Sequence, residues 1–253
     1  MERYDVAIAT TNPKVMYLVV ELVKNLNLSF VHCNIFDYRC RISRVVVTTQ
    51  EEAENCEDNR TVIVDSELSL DSTSIDIMVK LFGLSDSAEF SLGVDPGMQF
   101  GLALLMNGSK IYTQTNQTPR ESARRTLLWA HHILCKFNQE AIIRVGTGSR
   151  LYSTLYLRAI KEEGSNLPIE LVDERHTTFV GGSDQASAIL IAQRKGRSIT
   201  DTDLLLEPKA GYIRSLKRYA ARLTNDTRKL STAEAKSVLT GDISLDDILS
   251  KSS

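Results

Sequence analysis

Four carboxylates in this chain fall where strands and helices end, and together they could hold a metal. Asp95 closes the apolar run of Ser91-Leu92-Gly93-Val94-Asp95-Pro96-Gly97. Asp173 and Glu174 follow the apolar stretch Ile169 to Val172, and Asp184 comes directly after Ser183, a helix-capping residue type. Carboxylate oxygens suit a hard divalent cation, Mg²⁺ or Mn²⁺. Two such ions about 4 Å apart can activate water and stabilise a leaving oxygen in phosphodiester hydrolysis. Singly, each acid has an ordinary role: a turn residue at Asp95, a partner for Arg175 at Asp173 or Glu174, a helix N-terminal charge at Asp184. Asp95, Asp173 and Asp184 are the first choice of ligands, with Glu174 in reserve.

Two further groups could contact phosphates. Gly146-Thr147-Gly148-Ser149 precedes a helical stretch and offers backbone N–H groups to an anion. It lacks the Gly-Lys-Ser/Thr ending of a nucleotide P-loop. Arg214, Lys217, Arg218 and Arg222 share a broad face of the amphipathic stretch from Gly211 to Leu223, where Tyr212 and Tyr219 could stack on bases. A solvated helix face is the plainer reading of the same pattern.

The elements that must position these residues are legible from periodicity. Tyr4–Ala9, Ser29–Cys33, Ile42–Thr48 and Thr61–Asp65 read as strands, and Val15, Leu18, Val19, Leu22, Val23 and Leu26 have helical spacing. This alternation predicts a small open α/β sheet, Rossmann-like, over residues 1–88. Further on, Asn107-Gly108 between two apolar runs predicts a hairpin. Thr118-Pro119-Arg120-Glu121 opens a long helix with a capping box and a proline at its first position. The order after residue 89 is strand, strand, strand, helix, strand, helix, strand, helix. Three antiparallel strands come first, then two strands parallel to the first that enter by helical crossovers. The carboxyl ends of the first, fourth and fifth strands then lie side by side, which brings Asp95, the Gly146 loop and Asp173 to one rim.

The opening at Gly93 to Gly97 resembles that of the RuvC-like and YqgF-like group. So does Val172-Asp173-Glu174-Arg175-His176-Thr177-Thr178. The helix from Ser183 through Asp184 to Ile191 is similar to that group's closing helix. The likeness covers about residues 90–197 and implies a ribonuclease H-like mixed five-stranded sheet with flanking helices. It implies a Holliday junction resolvase-like or RNA-processing nuclease, with Asp95, Asp173 or Glu174, and Asp184 as metal ligands. It also implies a DNA junction or structured RNA as substrate and a homodimer. The chain departs from the RuvC pattern after the fourth strand, where Gly-Thr-Gly-Ser stands in place of a Glu, and the Gly-x-Pro loop usual in the YqgF-like branch is absent. A catalytically inactive nucleic-acid-binding or scaffold protein on the same fold is the alternative.

Bulk properties agree with a globular protein of 253 residues, 42% hydrophobic and 25% charged. The net charge of −2 excludes a uniformly basic nucleic-acid binder. The charge is uneven: residues 1–90 carry 8 Lys and Arg against 15 Asp and Glu, and residues 91–200 carry 13 against 9. The expected organisation is a small α/β domain over 1–88, a nuclease-like domain over 89–200 and a basic helical extension over 201–253. Cys33, Cys40, Cys56 and Cys135 form no C-x-x-C pair, and His32, Cys33 and Cys40 lack the paired spacing of a zinc site. Reduced thiols, no secretory segment and no membrane-length apolar run lead to a cytoplasmic expectation.

Overall fold

Val6, Ala7 and Ile8 are wholly buried, and so are Val45 and Val47. Such unbroken apolar runs belong to strands covered on both faces, as in a parallel sheet. In the computed structural model, which describes residues 3–53, 59–174 and 183–250, they form its centre. The chain divides into two compact units, Met1–Ala88 and Glu89–Ser253.

In the first unit, β1 (Val6–Ile8), β2 (Phe30–His32), β3 (Val45–Thr49) and β4 (Thr61–Val64) are all parallel, in the order β2-β1-β3-β4. Helix α1 (Pro13–Asn25) turns Val15, Val19, Leu22 and Val23 into this core. The Asn12 side chain caps it by accepting from the Lys14 and Val15 amides. Two short helices, α2 (Tyr38–Ile42) and α3 (Gln50–Ala53), and the longer α4 (Leu70–Phe82) complete the unit.

The second unit begins with an antiparallel meander of β5 (Phe90–Pro96), β6 (Phe100–Met106) and β7 (Ser109–Asn116). Asn107 and Gly108 both take positive φ in the β6–β7 turn, +51° and +76°. Helix α5 (Pro119–Phe137) starts at Thr118, whose hydroxyl accepts from the Glu121 amide. It leads to β8 (Ala141–Gly146), which pairs parallel with β5. Helix α6 (Arg150–Glu162) leads in turn to β9 (Ile169–Val172), parallel with β8. Helix α7 (Asp184–Ala192) follows. The chain then pairs Arg197–Ser198, β10, antiparallel to β9. The sheet therefore has six strands rather than five, in the order β10-β9-β8-β5-β6-β7.

Small residues set how closely α7 lies on the sheet. A Cβ at Gly93 would collide with the backbone of Ala188, and one at Gly101 with that of Asp184. Ala103, Leu105, Ala188 and Ala192 pack together along the same contact. Helices α8 (Ala210–Leu223), α9 (Thr232–Thr240) and α10 (Leu245–Ser250) belong to this second unit. Arg158 of α6 holds α9 by donating to the Val238 and Leu239 carbonyls, and the segment before α8 by donating to Leu204 O. No helix among the described residues is long and apolar enough to cross a membrane.

Candidate nuclease site

Asp95 lies one residue from the end of β5, paired across the sheet with Gly101. Because Asp184 begins α7 directly over Gly101, the hairpin and the helix bring the two acids to one rim. Glu174 reaches the rim from the end of β9. Its carboxylate accepts the Gly148 amide at 2.8 Å and fills the space where side chains at Gly146 and Gly148 would stand. Burial, followed by the negative charges of Glu174 and Asp184, pushes the Asp95 carboxyl up to about 6, and a hydrogen bond from Ser187 of α7 pulls the other way. Two carboxylates from separate elements, Glu174 and Asp184, thus act on Asp95.

Asp173 lines a cavity with Thr147, Arg150, Lys195 and Arg197. Among the described residues, no three His, Cys, Asp or Glu side chains converge tightly enough to hold a metal as they stand. The donor chemistry nevertheless suits a hard cation: every candidate ligand is a carboxylate oxygen, and among the described residues the charges acting on Asp95 are negative.

The glycine-rich loop is less open to an anion than its composition implies. The Thr147 amide and hydroxyl both donate to Val172 O, at 3.0 and 3.1 Å, and the Gly148 amide goes to Glu174. Ser149 precedes α6 without a side-chain capping bond.

The basic helix α8 sorts its side chains. Arg214, Arg218 and Arg222 are exposed at four-residue steps, about 6 Å apart along the axis. Lys217 is turned aside, donating to Thr232 Oγ1 at 2.9 Å. Tyr219 is fully buried, with its hydroxyl on Gln117 O at 2.6 Å and its ring edge-on to Tyr152, so it offers no face to a base. Arg222 Nη1 reaches Met98 O at 3.4 Å, which sets this end of the helix against the turn three residues beyond Asp95.

No family model and no curated protein matches the chain. Among solved structures, it is similar to an Argonaute of Marinitoga piezophila crystallised with a 5′-hydroxyl guide RNA, with 8% identity and a TM-score of 0.28. The match covers 68% of this chain and 40% of that one, so it spans less than half of the Argonaute chain.

Ser187, Arg150, Lys195 and Arg197 are not singled out by sequence motifs. Only Arg150 carries a local signal, as the first residue after the glycine-rich loop. The elements Arg175-His176-Thr177-Thr178 and Gly181-Gly182 lie outside the described residues.

Proposed function

We propose that the second unit is a ribonuclease H-like, Mg²⁺- or Mn²⁺-dependent nuclease that cuts structured or branched nucleic acid, with Asp95, Glu174 and Asp184 as its acidic centre. The observation that carries this reading is the convergence of Glu174 and Asp184 on the half-buried Asp95 carboxylate, which among the described residues only a hydrogen bond from Ser187 offsets. Retaining such an arrangement costs stability, which is characteristic of functional sites. The strand order supports it, since β5, β8 and β9 deliver their carboxyl ends side by side. Bound there, a divalent cation would polarise the scissile phosphate and lower the pKa of a water. The protein's own groups would orient the strand: the exposed Arg214, Arg218 and Arg222 stripe would contact its phosphates, and Ser187 would hold Asp95 in place. A four-way junction is the substrate that the RuvC-like resemblance favours, and a homodimer would then place two such centres on two strands.

The test is cleavage of a four-way junction, a flap, a single strand and a structured RNA by the wild type and by Asp95→Asn. Cutting that needs divalent metal and vanishes in the variant supports the proposal. Equal products in EDTA overturn it. A second reading, binding without hydrolysis, is favoured by the absence of a ready-made metal group among the described residues. It gives salt-sensitive binding indifferent to EDTA and to Asp95→Asn.

A further inference from the structure

Away from the three rim acids, a cavity of about 640 Å³ runs along α6. Arg150, Ser153, Thr154 and Leu157, one face of that helix, form one wall, and Leu171 and Asp173 of the β9 end form another. Lys195, Gly196, Arg197 and Asp203 close the far side. The volume is that of a site for a small organic ligand.

Its chemistry is divided. Arg197 and Asp203 neutralise each other in a two-pronged pair at 2.6 and 2.8 Å. Arg150 Nη2 donates to Thr202 O and Leu205 O, which fixes the guanidinium at the start of α6 while carbonyls leave its charge uncancelled. Lys195 is exposed at the rim. Arg150 stands in the first turn of α6, where the helix dipole adds positive potential and Ser149 supplies no cap, and Lys195 lines the opposite side of the cavity. Deeper in, Leu157 and Leu171 are buried apolar surface. The Ser153 and Thr154 hydroxyl protons are committed to carbonyls at 2.6 to 2.9 Å, so these oxygens present lone pairs.

We infer that this cavity binds a nucleoside monophosphate. The phosphate dianion sits between Arg150 and Lys195 at the α6 terminus. The ribose hydroxyls face acceptors from Asp173 and Ser153, and the base lies on Leu157 and Leu171. The site is separate from the rim acids, so it does not depend on whether they cut.

The experiment is calorimetric titration of the full chain, in EDTA so that cleavage cannot enter, with adenosine monophosphate, inorganic phosphate, adenosine and a single-stranded oligonucleotide. The monophosphate should bind at least about tenfold more tightly than adenosine, and Lys195→Glu and Arg150→Gln should each weaken it by about tenfold or more. Lys110→Ala, at an exposed cation of β7 away from the cavity, should leave it unchanged. Because Lys195 is exposed, its variant keeps the fold, which circular dichroism verifies. No binding of the monophosphate at millimolar concentration overturns the assignment. Equal affinity for adenosine, or indifference to Lys195→Glu, does so too, as does binding of the oligonucleotide alone.

Discussion

Asp173 and Glu174 are neighbours in the chain and serve different places: Glu174 accepts the Gly148 amide beside Asp95, whereas Asp173 lines the basic cavity along α6. Extended backbone sends successive side chains to opposite sides, so a one-residue choice decides which carboxylate joins the acidic centre. Glu174→Gln is expected to lower metal-dependent cleavage by roughly 100-fold. Asp173→Asn should leave it within a few-fold. Initial rates on the best substrate of the junction panel decide between them, and the reverse ranking would show that Asp173 turns to the metal.

Asp95 should make the protein less stable as pH rises. Its carboxyl is up at about 6 in the fold, against about 3.9 in an unfolded chain, so between these values the folded state holds more protons. Stability present below the lower value is then lost as pH climbs through the higher one. The group is partly exposed, which keeps the effect below about 2 kcal/mol. Asp95→Asn should match the wild type near pH 4 and melt about 2–4 °C higher at pH 7 to 8. Adding Mn²⁺ should raise the wild-type melting temperature and leave the variant's unmoved. A variant that melts lower at pH 8 would show that the repulsion has been misjudged.

Most of the framework that carries these acids can be read from local signals. Val45-Val46-Val47, the Asn107-Gly108 turn and the Thr118 cap each state their conformation within a few residues. What stays hidden depends on contacts between distant residues. Helices α2 and α3 have five and four residues, too few to show a period. Strand β10 has two residues and exists only through its pairing with β9. Tyr219 lies on an amphipathic helix beside arginines, and partners far off in the chain, Gln117 and Tyr152, explain why it is buried. The choice of Glu174 over Asp173 rests on the Gly148 amide, 26 positions away.

The three exposed arginines of α8 should dominate the salt dependence of nucleic-acid binding. Each phosphate neutralised on duplex contributes about 0.9 to the slope of log K against log salt. Replacing Arg214, Arg218 and Arg222 together by Ala should flatten that slope by about 2.7. Lys217→Ala should hardly change it, because Lys217 is turned to Thr232. Fluorescence anisotropy across a salt series measures both. An equal effect from Lys217 would mean that the strand runs along a different face of the helix.

Gly101 links the fold to the site most directly, because the start of α7 lies over it. A Cβ there meets the backbone of Asp184, which cannot swing aside as a flexible side chain could. Gly101→Ala must therefore lift the first turn of α7 from the sheet, at a cost of about 1–3 kcal/mol. It also draws Asp184 away from Asp95, which removes one of the two charges that raise the Asp95 carboxyl. The Asp95 titration, followed by carboxyl-carbon NMR, should move down toward the ordinary range while cleavage falls. Ala103→Gly, on the same strand and in the same α7 contact, should cost stability without moving that titration. If both variants lower stability and neither shifts Asp95, the position of α7 does not control the charge of the site.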